Sequence, residues 1–181
     1  MYNFTLIGDS LTNHGFFYKN GWPQLLKNLL PTVNIINFGF DGYNSSQVKN
    51  IINLIITKEQ PIHFATILLG TNDCFSHNNV TPEEYKNNIE YIINTILSLY
   101  PSCVIYLITP PICKIIKNNI QDYISQLYLL GQNFPTVTIV DLHKSNFPIV
   151  LEDFHDGIHF NENGHNKIFL TLLNKIQEKY Y

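Results

Sequence analysis

Four short polar stretches carry residue types that can do chemistry together. Gly8-Asp9-Ser10-Leu11, Asn37 to Gly42, and Gly70-Thr71-Asn72-Asp73 each follow an apolar run, and Asp156-Gly157-Ile158-His159 lies near the end of the chain. The Ser10 hydroxyl is a weak nucleophile that needs a base to take its proton. An imidazole does this near neutral pH, and His159 is the candidate base. Asp156, three residues earlier, can accept from the other ring nitrogen, fixing the tautomer and stabilising the imidazolium. On a turn or a first helical turn, that spacing puts both side chains on one side. Attack on an acyl carbonyl develops an oxyanion, which needs donors. A glycine N–H can approach without a Cβ in the way, and an Asn amide supplies a second donor. Gly42, Asn72 and the N–H of Ser10 are the candidates, with Gly39 as a rival to Gly42.

Each stretch alone has a plainer reading as a turn, a cap or a surface ion pair. Only their joint presence argues for catalysis. Of the seven histidines, His155 is the one rival base, because it adjoins Asp156. His14 reads as part of a solvated loop at the pocket rim. Asp9 and Asp73 are expected to bond local backbone, and Cys74 to be a packed, inert thiol. Phe40, Tyr43, Phe75 and Ile158 are candidates for the wall of an acyl or alcohol pocket, against a default of core packing.

Positioning these stretches requires a scaffold, and the apolar pattern supplies one. Strands are expected at Phe4–Ile7, Val33–Phe38, Phe64–Leu69, Cys103–Thr109 and Val137–Val140. Between them lie helical patterns: from Pro23 to Leu30, from a cap at Ser45 or Ser46 to Ile56, from Thr81-Pro82-Glu83-Glu84 to Leu99, around Asn119–Leu130, and from near Asn161 to Tyr180. Strands alternating with helices imply a parallel sheet covered on both faces. Sites in such sheets form beyond the carboxyl ends of the strands, where three of the four stretches fall. The loops 13–19 and 114–119 are candidates for closing over a substrate.

The chain has 181 residues, of which 45% are hydrophobic, consistent with one domain spanning 1–181 and a real core. The formal net charge is -3 and basic residues do not cluster, which argues against a nucleic-acid partner. Three cysteines without a C-x-x-C pair argue against a disulfide framework or a structural zinc site. No apolar stretch is long enough for a bilayer, and the first residues do not read as a signal peptide. A cytoplasmic location is expected unless a leader has been trimmed.

Taken together, the four stretches resemble the SGNH, or GDSL, hydrolase family. Gly8 to Leu11 matches its first block, Asn37 to Gly42 its second, Gly70 to Asp73 its third, and Asp156 to His159 its closing Asp-x-x-His block. Trp22-Pro23 and the run from Asp156 to Asn161 are similar to the small esterase branch. The resemblance implies a three-layer, flavodoxin-like α/β/α sandwich with a five-stranded parallel sheet, no cofactor or metal, and a small-molecule ester or thioester substrate. It implies Ser10, His159 and Asp156 as catalytic residues, and Ser10, Gly42 and Asn72 as the oxyanion hole. It favours Gly42 over Gly39 and His159 over His155. Within the family, thioesterase, lysophospholipase and sugar deacetylase activities stand beside short-chain esterase activity. Outside it stand a non-catalytic ligand-binding domain and a metal phosphatase using Asp9, Asp73 and His159.

Overall fold

The computed structural model describes residues 2–75, 77–114 and 120–180. Five apolar segments form strands β1 (Tyr2–Gly8), β2 (Val33–Gly39), β3 (Phe64–Leu68), β4 (Val104–Ile108) and β5 (Val137–Val140). All pair in parallel, in the order β2-β1-β3-β4-β5. This is the flavodoxin-like order, in which the chain reverses its direction of travel between β1 and β3 and leaves a crevice at their carboxyl ends.

Among the described residues, six helices cover the sheet: α1 (Ser10–Phe17), α2 (Trp22–Leu29), α3 (Ser45–Ile55), α4 (Pro82–Leu99), α5 (Ile120–Asn133) and α6 (Glu162–Tyr180). Helices α3, α4 and α5 close one core around Ile7, Ile52, Ile67, Ile89, Ile105 and Leu127. Helices α1, α2 and α6 close the other around Leu6, Leu11, Trp22, Leu68, Ile108 and Ile168. Each of these side chains is at most 1% exposed, and burying one contributes roughly 1.5–3 kcal/mol. The expected three-layer sandwich is therefore the observed one.

The differences from expectation have local causes. Helix α1 covers much of the stretch 13–19 expected as loop, since Ser-Leu-Thr-Asn-His-Gly has no helical apolar period. It forms because Asp9 caps it, accepting from Leu11 N at 2.9 Å, and because Trp22 Nε1 donates to Leu11 O at 3.1 Å. The cap of α3 is Asn44, not Ser45 or Ser46, in a reciprocal pair with Gln47. Thr81 caps α4 as expected, but Glu84 turns its carboxylate to Ser46 instead of closing the box. The expected helix at Asn119–Leu130 begins at Ile120 and runs on to Asn133. Asn119, and residues 115–119 of the second candidate closing loop, lie outside the described residues. Among those described, no helix is long and apolar enough to cross a membrane.

Ser45 meets Asp73 instead of capping. Its N–H lies 3.0 and 3.1 Å from the two carboxylate oxygens, and its hydroxyl donates to the same group. Asn88 of α4 donates to Ser45 Oγ at 3.0 Å and to Ser46 Oγ at 2.8 Å. Asp73 was expected to bond nearby backbone; it ties the β3 loop to the start of α3. Ser45→Ala removes a hydroxyl donor from a buried carboxylate and should cost about 1.5–3 kcal/mol. Urea unfolding measures this, and an unchanged midpoint would show that the hydroxyl contributes nothing.

Candidate active site

Ser10 is the first residue of α1, one residue beyond the end of the interior strand β1. As the first helical residue, its N–H has no partner within the helix and points outward from the helix N-terminus. His159 arrives from the far end of the chain on a tight hairpin. Phe154 and Phe160 bridge antiparallel and stack at 5.2 Å, His155 N donates to His159 O at 3.0 Å, and Gly157 makes the bend at φ 92°. Buried Asp153 anchors the hairpin by accepting from Val150 N at 2.8 Å, Asn163 at 2.6 Å and Lys167 at 2.8 Å.

The hairpin sets His159 Nε2 at 3.0 Å from Ser10 Oγ and His159 Nδ1 at 2.6 Å from Asp156 Oδ2. The other carboxylate oxygen of Asp156 accepts from Ile158 N at 2.9 Å and His159 N at 2.7 Å. Burial would push this carboxyl up, but the bonds from the His159 side chain and from the two backbone N–H groups outweigh it and hold it well below its ordinary range. Asp156 is thus a charged acceptor facing Nδ1, which leaves the Nε2 lone pair for the serine proton. The three sequence-predicted residues are brought together.

The candidate oxyanion donors sit on the same rim. Asn72 Nδ2 donates to Tyr43 O at 2.9 Å and lies 3.5 Å from Asp9 Oδ2, so one of its two hydrogens is only loosely held. Gly42 has φ 75°, a backbone state that side chains strain, and nothing lies within 4 Å of where a Cβ would stand. Both of its neighbours are pinned: Asp41 to α1 and Tyr43 to Asn72. Gly39, by contrast, packs on Asn13, where a Cβ would come within 2.5 Å of backbone.

Asp9 behaves as expected, bonding local backbone at the α1 cap. Burial pushes its carboxyl up to about 7, and the charges of Asp73 and Asp41 push the same way. Burial also pushes Asp73 up to about 6, against the bonds from Ser45. Cys74 is fully buried and its thiol is pushed up by burial, as a packed thiol should be.

Sequence reasoning placed His14 in a solvated loop. It lies on α1, stacked on His159 at 4.4 Å between ring centroids, with Nε2 3.2 Å from Asp41 Oδ2. Asn13 binds the other oxygen of Asp41 at 2.9 Å and accepts from Asn37 at 3.0 Å. The spacing of four from Ser10 to His14 is the signal that both share a helix face, legible only once α1 is known to be a helix. A cavity of about 200 Å³ beside the imidazole is lined by Leu11, His14, Tyr18, His155, His159, Phe160 and His165. None of the four candidate pocket residues lines it. Phe40 and Tyr43 stack at 5.3 Å, Tyr43 packs on the α3–α5 core, Ile158 packs on the opposite core, and Phe75 stacks on His77.

Fold and rim together define a three-layer α/β/α protein with its polar side chains gathered at the β1/β3 crevice. More narrowly, the chain belongs to the GDSL-like Lipase/Acylhydrolase family, whose profile matches residues 6–167. It is 25% identical to an isoamyl acetate-hydrolyzing esterase of Schizosaccharomyces pombe, over 96% of this chain and 74% of that protein. It is 27% identical to an isoamyl acetate-hydrolyzing esterase 1 homolog of Mus musculus, over 96% of this chain and 81% of that protein. The crystal structure of a lipase/acylhydrolase from Enterococcus faecalis superposes with a TM-score of 0.80 at 22% identity, covering 99% of this chain and 97% of the other. Est24, a carbohydrate acetylesterase from Sinorhizobium meliloti, gives 0.80 at 18% identity, covering 99% and 100%.

The Asp9 carboxyl gives a pH test. Its folded value of about 7 lies above the ordinary 3.8, so the folded state resists ionisation and loses stability as pH rises between those values. Asp9→Asn keeps an acceptor for Leu11 N but cannot ionise. Its stability relative to wild type should therefore rise between about pH 5 and about pH 8. Urea midpoints at the two pH values measure this; an equal difference at both would mean that Asp9 ionises freely.

Proposed function

We propose that the chain is a serine esterase acting on carboxylic esters of short acyl groups. The observation that carries this is the unbroken line from Asp156 through His159 to Ser10, with bond lengths of 2.6 and 3.0 Å. His159 takes the Ser10 proton as Oγ attacks the ester carbonyl, and Asp156 stabilises the imidazolium that results. The oxyanion is received by the N–H groups of Ser10 and Gly42 and by the Asn72 hydrogen that Asp9 holds only loosely. His159 then protonates the leaving alcohol. An acyl group remains on Ser10, and water activated by the same imidazole releases the acid.

No step calls for a metal or a cofactor, so hydrolysis should be indifferent to chelator. The preference for short acyl groups rests on the relatives named for hydrolysing isoamyl acetate, an acetyl ester. Phe40, Tyr43, Phe75 and Ile158 remain the proposed wall for the substrate.

Ser10→Ala should lower hydrolysis of p-nitrophenyl acetate by at least about 10⁴-fold without changing the fold, and should abolish labelling by a fluorophosphonate. Asn72→Ala should cost roughly 10²–10³-fold in kcat through loss of one oxyanion donor. Retained activity in Ser10→Ala would overturn the proposal. A panel of p-nitrophenyl esters of rising length, run beside acyl-CoA and acetylated sugars, should show the acetyl ester as the best substrate; a long-chain or thioester optimum would reassign the substrate class.

A further inference from the structure

The hairpin that delivers His159 delivers a second imidazole with it. His155 and His159 are paired across the hairpin, with ring centroids 6.0 Å apart and planes within 28°. Between them stands Asp156 Oδ2, 2.6 Å from His159 Nδ1 and 3.6 Å from His155 Nε2. One donor atom from each of the three residues lies within 4.8 Å of the other two. The remaining nitrogen of His155, Nδ1, is 3.4 Å from the carbonyl oxygen of Phe160. That contact favours the tautomer with the proton on Nδ1, leaving the Nε2 lone pair directed at Asp156. A ring held from behind by a backbone carbonyl is the usual support of a histidine that binds metal.

We propose that His155 Nε2, Asp156 Oδ2 and His159 Nδ1 form an inhibitory site for a divalent transition-metal ion of the zinc type. Two imidazoles and a carboxylate suit such an ion in both donor type and number, with water in the fourth position. Bonds of about 2.0–2.2 Å in a tetrahedral arrangement need donors roughly 3.3 Å apart. The Asp156–His159 bond opens slightly to admit the ion, and His155 swings inward. The His155 and Asp156 side chains are both exposed, which leaves room for this movement while the backbone bonds to the other Asp156 oxygen stay in place.

Inhibition follows from proton bookkeeping and rests on the reading of His159 as the base. In the free protein the neutral imidazole carries its proton on Nδ1, towards Asp156, and its lone pair on Nε2, towards Ser10. A metal ion on Nδ1 needs the lone pair there, so the proton moves to Nε2. No proton is released, but Nε2 becomes a donor to Ser10 Oγ and can no longer accept its proton. The ion also takes the charge of Asp156 that would stabilise an imidazolium.

The test uses the chelator-treated protein, zinc chloride and p-nitrophenyl acetate. Calorimetry should show one zinc ion per chain for wild type and for Ser10→Ala. Zinc should suppress wild-type hydrolysis and fluorophosphonate labelling, and EDTA should restore both. His155→Ala should bind zinc at least about tenfold more weakly than wild type, and whatever hydrolysis it retains should withstand zinc concentrations that silence the wild type. Magnesium, which prefers oxygen donors, should neither bind nor inhibit. Absence of zinc binding, equal affinity in His155→Ala, or binding that leaves labelling unchanged would each overturn the proposal. Hydrolysis that survives in Ser10→Ala would instead overturn the esterase reading, while calorimetry on that variant still reports the metal site.

Discussion

The rest of the site depends on one junction, where the chain leaves the interior strand β1 and enters α1 with only Asp9 between them. Asp9 makes this possible. Its backbone carbonyl accepts from Thr12 and Asn13, its side chain accepts from Leu11, and its burial is complete. Ser10 is therefore fixed by a strand on one side and a capped helix on the other, and Trp22 locks that helix from behind through Leu11. A side chain on a free loop would not hold the 3.0 Å separation from an imidazole that comes from a hairpin 149 residues later. The hairpin is equally constrained, because buried Asp153 and Lys167 bind it to α6. Two rigid supports, each anchored in the same core, meet across a gap of one hydrogen bond.

The carboxylates around this junction divide by environment. Burial pushes Asp9 and Asp73 up, and their work is to hold backbone and hydroxyl groups in place. Asp156 is exposed on one side and bonded by three N–H groups, and it is held down. Charge is thus concentrated on the carboxylate that faces the imidazole and discouraged on the two that are buried. A second full charge under Ser10 would oppose an oxyanion forming there, so the upward shift of Asp9 serves the electrostatics of the rim as well as the cap. His165, buried and pushed down to about 4 by burial and by the neighbouring charges of His155 and His14, adds no positive charge near neutral pH.

The sequence was most legible where one physical rule acts alone. Strands buried on both faces read as apolar runs, and the helices on them read by their period, so the sheet and five of the six helices were visible. Ser10, Asn72, Asp156 and His159 were visible because the chemistry restricts residue types and strand ends restrict place. Helix α1 was not, since its stability comes from a cap and from Trp22, contacts that carry no period. The Asp41–His14 bond spans 27 residues and joins a loop to that unread helix. The Ser45 bond to Asp73 was hidden for the same reason: it spans 28 residues, and local propensity cannot report a tertiary bond.

The hairpin also explains why only one of its two imidazoles is hydrogen-bonded to Asp156. Residues paired across an antiparallel bridge project to one face, so His155 and His159 must both look towards Asp156. The carboxylate has two oxygens, and the turn consumes one: Oδ1 is taken by the N–H groups of Ile158 and His159. Only Oδ2 remains for two imidazoles. At 2.6 Å His159 makes a full charge-assisted hydrogen bond, whereas 3.6 Å is too long for His155 to make one. The same backbone bonds that bend the turn therefore choose which imidazole the carboxylate binds. They do so by leaving a single acceptor atom, which the residue three positions along reaches and the adjacent one does not.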